Sequence, residues 1–185
     1  MTNLVGIKLK SNGIRDEESA LLMRACSYCP KFTSFMIERN EVGEKFAYML
    51  KDGLLIMGER FSELSLASAR NFMKISSKVC AMAIEASLVS LDISNTVLNL
   101  LACKLLGNLI RFTTKLQNLN LSNCTLRGTS SREIVNGMLY NQSIKFLNLS
   151  LNSFSSRDYD LGSKLARMIQ IHGFLIHLDL TSVQI

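Results

Sequence analysis

The chain has 185 residues, of which 48% are hydrophobic and 19% are charged, so it is long enough for one domain and too apolar to be intrinsically disordered. With one proline, no tryptophan and ten scattered glycines, it is not collagen-like, proline-rich or a flexible linker. The net charge is +6, but no block of consecutive basic residues and no interleaving of aromatic with basic residues occurs, and this disfavours direct nucleic-acid binding. No apolar run matches a signal peptide or a membrane span, so we expect a cytoplasmic protein that does not bind membranes.

A repeating pattern of apolar residues runs along the whole chain. Its clearest copy is residues 116–126, where apolar side chains occupy relative positions 1, 4, 6 and 11 and a cysteine occupies position 9. The same spacing recurs, so that predicted units begin at residues 4, 32, 61, 88, 116, 144 and 175. All 21 residues at positions 1, 4 and 6 are apolar, which chance does not produce at this composition.

Each unit is predicted to begin with a short strand. Because side chains alternate along a strand, positions 4 and 6 are expected to point inward and positions 3, 5 and 7 outward. At position 9 the chain turns away, and an Asn, Cys or Thr side chain can bond the backbone groups that the turn leaves without partners. The residues in that role are Asn12, Asn40, Thr96, Cys124 and Asn152.

The segments between the strands have the apolar spacing of helices. The first helix is predicted to begin near Arg15 with three carboxylates in its first turn, where the helix dipole stabilises them. The fourth and sixth helices are each predicted to lay one apolar stripe on the sheet. These stripes are Leu101, Leu105, Leu106 and Leu109, and Leu161, Leu165 and Ile169. With only 7% aromatic residues, we expect an aliphatic core.

Residues 88–95 and 116–124, which read Leu-Val-Ser-Leu-Asp-Ile-Ser-Asn and Leu-Gln-Asn-Leu-Asn-Leu-Ser-Asn-Cys, resemble leucine-rich repeats. The spacing of 27 to 29 residues between most units resembles the ribonuclease-inhibitor-like class. The resemblance covers residues 4–185 and implies one α/β solenoid of about seven repeats, with a curved parallel sheet on the concave side and helices on the convex side. A repeat buries its apolar faces only against its neighbours, so the two terminal repeats of a solenoid need caps. No capping segment is recognisable before the first or after the last predicted strand, and we expect both ends to be uncapped.

This class of repeat protein is built around binding surfaces. The resemblance therefore implies a protein–protein interaction or scaffold protein, a subunit or fragment of a larger assembly of cytoskeletal or axonemal type, which places it at the cytoskeleton or cilium. The alternative is a regulator of a small GTPase resembling Ran GTPase-activating proteins, although these carry an acidic C-terminal tail and this sequence ends inside a repeat. Ribonuclease inhibition is disfavoured, because those inhibitors are acidic and this chain is not.

The concave face is expected to contact protein partners, as are the uncapped ends. Its outward side chains are mostly small, polar and near neutral, with Met36 and Phe146 as large apolar exceptions and His177 beside Asp179 as a polar pair. The candidate partner-binding residues are Met36, Asp92, Asn118, Asn120, Phe146, Asn148, His177 and Asp179.

No catalytic, cofactor-binding or metal site is predicted. Two histidines, His172 and His177, are too few for a multi-histidine metal site. Cys26 and Cys29 are spaced like half of a zinc site, but no second pair follows, and the five cysteines are expected to be reduced thiols. The glycine motifs that bind dinucleotides or phosphates do not occur. We therefore expect neither an enzyme nor a cofactor nor a small-molecule substrate.

Overall fold

The computed structural model of the chain describes residues 3–154 and 159–183; residues 184 and 185, the end of the predicted seventh unit, lie outside this part. Within it, strands and helices alternate in an α/β fold with one open parallel sheet of seven strands and six α-helices. The strands are β1 (Gly6–Lys10), β2 (Ser34–Glu38), β3 (Glu63–Ser65), β4 (Ser90–Asp92), β5 (Asn118–Asn120), β6 (Phe146–Asn148) and β7 (His177–Asp179). The helices are α1 (Asp16–Ser27), α2 (Glu44–Met57), α3 (Phe72–Glu85), α4 (Leu100–Phe112), α5 (Thr129–Met138) and α6 (Tyr159–Ile171).

The strands pair in sequence order, and their register joins the same position of successive predicted units. The fourth positions form one row across the sheet: Ile7, Phe35, Leu64, Leu91, Leu119, Leu147 and Leu178. The five central members of this row are buried, whereas Ile7 and Leu178, on the two edge strands, are partly exposed. Positions 4 and 6 therefore face the helices, as predicted, and the arrangement is compatible with an α/β solenoid.

Side chains of the ninth position form hydrogen bonds with the backbone of their own unit and of the preceding unit. The Asn152 side-chain carbonyl accepts hydrogen bonds from the amides of Cys124 and Leu126, both at 3.0 Å. Its amide nitrogen donates to the carbonyls of Leu121, Leu149 and Ser150. Asn40 forms the same kind of bonds with the backbone of the first unit. Thr96 donates to the Ile93 carbonyl of its own unit, and the Cys124 thiol of the next unit donates to that same carbonyl at 3.2 Å. The predicted role of this position is confirmed for these four residues.

Every strand is followed by a residue in the left-handed conformation at position 8 of its unit. These residues, with φ between 52° and 58°, are Ser11, Arg39, Ser68, Asn95, Asn123, Leu151 and Ser182. The conformation costs an L-residue about 1 kcal/mol or more, so the surrounding structure must impose it. In the first six cases the residue's amide donates to the position-7 carbonyl of the next unit, at 2.7 to 3.1 Å, which extends the parallel ladder past the strand.

The core is aromatic at its N-terminal end, contrary to the expectation of an aliphatic core. Phe32 stacks on Phe61 with ring centroids 6.4 Å apart, and Phe35 meets Phe32 edge-on at 6.3 Å and Phe46 at 6.0 Å. All four rings are fully buried. The overall composition does not predict this, because aromatic residues occur along the whole chain, whereas five of the six buried rings of the described residues belong to the first three units.

Two helices are rotated relative to the predicted stripes. Leu101 is 58% exposed and Ile169 is 53% exposed, whereas Ala102 and Met168 are buried in their place. The predicted stripes consist of large aliphatic residues, but the buried face of α4 includes the small residues Ala102 and Gly107. At Gly107 the α5 backbone approaches closely, since a Cβ atom there would lie 2.7 Å from the Glu133 carbonyl oxygen. The first helix begins as predicted, with Arg15 as its N-cap residue.

Candidate functional site

Seven of the eight candidate partner-binding residues line one shallow hollow. We call the surface of the sheet opposite the helices the open face; on it, positions 3 and 5 of β4–β7 surround a hollow of about 200 Å³. The candidates that line it are Asp92, Asn118, Asn120, Phe146, Asn148, His177 and Asp179. Met36 lies apart, because it belongs to β2 and pairs with Lys8 and Ser65.

The position-5 residues of this hollow also have a structural role that the sequence analysis missed. The Oδ1 atoms of Asp92, Asn120, Asn148 and Asp179 accept hydrogen bonds from the backbone amides two residues later, at 2.9 to 3.1 Å. Such Asx turns are typical where a chain leaves regular structure. The signal was present in the sequence, since an Asp or Asn at position 5 precedes a Ser or Thr at position 7 in each of the last four units.

These turns fix the position-5 side chains of the hollow in place. The amide nitrogen of Asn120 donates to Asp92 Oδ2 at 3.1 Å, linking β5 to β4, and the Ser150 hydroxyl donates to Asn148 Oδ1 at 2.7 Å. The side chain and the backbone amide of Thr181 hold the pKa of Asp179 below its usual range. A surface whose polar groups are already oriented loses little conformational entropy when it binds.

Three position-7 residues do not point into solvent as the strand alternation predicts. Ala67, Ser94 and Ser150 are all buried, with 8%, 4% and 6% of their surface exposed. Ser65, at position 5 of β3, is buried as well, with 5% of its surface exposed, whereas Lys10 and Thr181, at position 7 of the first and last units, are exposed. The accessible part of the open face therefore varies along the sheet, and in the hollow it consists of positions 3 and 5 of β4–β7.

Phe146 is the large apolar side chain of the hollow. It is 46% exposed and lies in register between Asn118 on β5 and His177 on β7. An aromatic ring held among oriented polar groups is typical of a binding hot spot. At the other end of the open face, Glu38 is placed between Lys10 at 3.3 Å and Lys8 at 3.9 Å, so the charges there are largely balanced.

The cysteines and His172 are parts of the packing. All five cysteines are free thiols, and burial raises the pKa of Cys26 and of Cys124 to about 11. His172 accepts a hydrogen bond from the Leu175 amide at 3.0 Å, and burial lowers its pKa. In residues 3–154 and 159–183 no three His, Cys, Asp or Glu side chains are grouped so that they could hold a metal ion. In the same part of the chain, no helix has the length and apolar character needed to cross a membrane.

Neither a protein-family model nor a curated protein matches this chain. Its functional description therefore rests on the fold and on the surfaces that the fold presents. Of these, the open face is the one to which the sequence pattern and the strand register both lead.

Proposed function

We propose that the chain is a protein-binding scaffold of the leucine-rich repeat type, similar to the ribonuclease-inhibitor-like class, and that it contacts its partner through the open face. The observation that carries this proposal is the convergence of seven candidate residues, from four strands, on one polar hollow around Phe146. The common register of the strands, the left-handed residue that follows each of them and the asparagines at position 9 support the repeat assignment.

The character of the hollow favours binding a protein over binding a small molecule. It is shallow, and its position-5 Asp and Asn side chains are held by Asx turns, so they present fixed donors and acceptors over several strands. Flat surfaces with an aromatic anchor and a polar surround are typical of protein interfaces. The larger assembly that such a scaffold joins is, by the same resemblance, of cytoskeletal or axonemal type.

Replacing Phe146 with alanine is expected to weaken partner binding at least tenfold, since a hot-spot side chain contributes about 2 kcal/mol or more. The fold should be unaffected, because the ring is half-exposed and lies outside the buried core. The matched control is Phe112→Ala, which removes a ring that is 69% exposed at the end of α4.

The measurement uses the whole chain as bait in a quantitative pull-down, with wild type and both variants compared at equal concentration. The proposal predicts proteins that wild type and Phe112→Ala retain equally and that Phe146→Ala retains at a tenth or less. An identical set of retained proteins for all three baits would refute the role of the open face. Circular dichroism and the melting temperature establish that each variant is folded.

A further inference from the structure

A second concave surface lies on the helix side of the sheet. Helices α1, α2 and α3 enclose a groove of about 910 Å³, to which each contributes residues at positions i, i+3, i+4 and i+7 of one face. The three sets share one order of residue types, a charged residue, an alanine, a larger apolar residue and a second charged residue. They are Glu17, Ala20, Leu21 and Arg24; Glu44, Ala47, Tyr48 and Lys51; and Lys78, Ala81, Met82 and Glu85.

The groove arises from uneven packing of the three helices. The carboxylate of Asp16 in α1 accepts hydrogen bonds from the amides of Lys45 at 3.1 Å and Phe46 at 2.9 Å, which ties α1 to the start of α2. Farther along, Gly53 of α2 allows α1 to approach closely, since a Cβ atom at Gly53 would lie 3.2 Å from the sulfur of Met23 in α1. Helices α2 and α3 pack more loosely than α1 against α2 or α3 against α4, and the space between them remains open.

The centre of the groove is apolar and accessible. Ala20 and Ala47 are buried at its floor, where their small side chains leave room. Leu21 is 60% exposed and Tyr48 is 63% exposed, although both stand in a concavity and not on a convex surface. Large apolar side chains that remain exposed inside a groove mark a site for a partner.

The charges around the groove differ between its two sides. At the amino-terminal ends of the three sets, Glu17 pairs with Lys45 at 3.1 Å, and Glu44 pairs with Lys78 across the space between α2 and α3. At the carboxyl-terminal ends stand Arg24, Lys51 and Glu85. No carboxylate of the described residues forms an ion pair with Arg24 or Lys51. One side is therefore neutral, and the other has an excess of positive charge on α1 and α2.

We propose that this groove binds an amphipathic α-helix of a partner protein, which places large apolar side chains over the alanine floor and carboxylates opposite Arg24 and Lys51. An α-helix is about 10 Å wide with its side chains, and apolar grooves between helices recognise such ligands through side chains at i, i+3, i+4 and i+7. An extended strand is disfavoured, because the walls of the groove are helices and offer no free backbone edge to pair with. This site lies on the face opposite the open face and does not depend on it.

The test uses a displayed library of 16-residue peptides, panned against the whole wild-type chain. The proposal predicts that selected peptides combine helical spacing of Leu, Ile, Phe or Met with an excess of Asp and Glu. Fluorescence polarisation of labelled peptides should show at least tenfold weaker binding to Tyr48→Ala and to the double variant Arg24→Glu, Lys51→Glu. Peptides in which the acidic residues are changed to lysine should regain affinity for that double variant.

Two control variants distinguish binding in this groove from binding elsewhere on the surface. Tyr140→Ala removes a tyrosine with 61% exposure just after α5, and Phe146→Ala alters the open face; both should bind the selected peptides like wild type. Equal affinity for wild type and Tyr48→Ala, or a library without enrichment of acidic helical peptides, would overturn the proposal. Sedimentation showing self-association that Tyr48→Ala abolishes would overturn it as well, since the occupant would then be a second copy of the chain.

Discussion

Replacing Asn152 with leucine is expected to lower the free energy of unfolding by about 3 kcal/mol or more. Asn152 is 3% exposed and forms hydrogen bonds with two amides and three carbonyls of its own and the preceding unit. Each buried backbone group left without a partner costs about 1 to 3 kcal/mol, and a leucine of similar size can bond none of them.

Asn12→Leu is the matched control, because Asn12 occupies the same position of the first unit but is exposed. It should change the free energy of unfolding by less than about 0.5 kcal/mol, as surface substitutions usually do. Urea unfolding of the whole chain, followed by circular dichroism, measures both variants. A loss below about 1 kcal/mol for Asn152→Leu would mean that water replaces the side chain's hydrogen bonds and that the ladder contributes little.

Replacing Gly137 with alanine is expected to destabilise the chain by about 2 kcal/mol, although alanine is the better helix former by about 1 kcal/mol. A Cβ atom at Gly137 would lie 2.5 Å from the Gly107 carbonyl oxygen and 3.1 Å from Ile110 Cβ, so α4 and α5 would have to move apart. The nearest atom belongs to the backbone on the buried face of α4, and it cannot yield as the end of a flexible side chain can. The steric cost therefore outweighs the gain in helix propensity.

Gly173→Ala provides the comparison, because no atom lies within 4 Å of the added Cβ there. Its free energy of unfolding should be unchanged or slightly higher, since alanine restricts the unfolded chain. Thermal unfolding of the two variants beside wild type gives the measurement. A higher melting temperature for Gly137→Ala would contradict the close contact of α4 with α5.

The sequence predicted those features that depend on one residue type at one repeated position. Apolar residues at positions 4 and 6 placed the strands and their inward side, and Asn40 and Asn152 revealed the hydrogen bonds of position 9 because few other side chains can both donate and accept there. The same regularity brought seven residues of the candidate site together, since equal register places equal positions side by side. Met36 lies apart because β3 separates its strand from the hollow.

Features that depend on several units at once could not be predicted in this way. Arg39 and Leu151 adopt the left-handed conformation although nothing in their side chains favours it, because their place in the ladder imposes it. The rotation of α4 follows from its contact with α5 through Gly107 and Gly137, two glycines that the apolar pattern does not connect. The groove on the helix side depends on how closely α1, α2 and α3 pack, which the spacing within one helix does not determine.

Site-directed photocrosslinking in cells tests most directly whether the open face contacts a protein. A benzophenone amino acid is placed at Asn118, beside Phe146 in the hollow of the open face. In a separate variant it is placed at Lys104, an exposed position of α4 that lines neither this hollow nor the groove between α1, α2 and α3. Binding through the open face predicts a discrete crosslinked protein from position 118 that is lost when Phe146→Ala is added, and none of the same mass from position 104. Equal crosslinking from both positions, or adducts from position 104 alone, would contradict it.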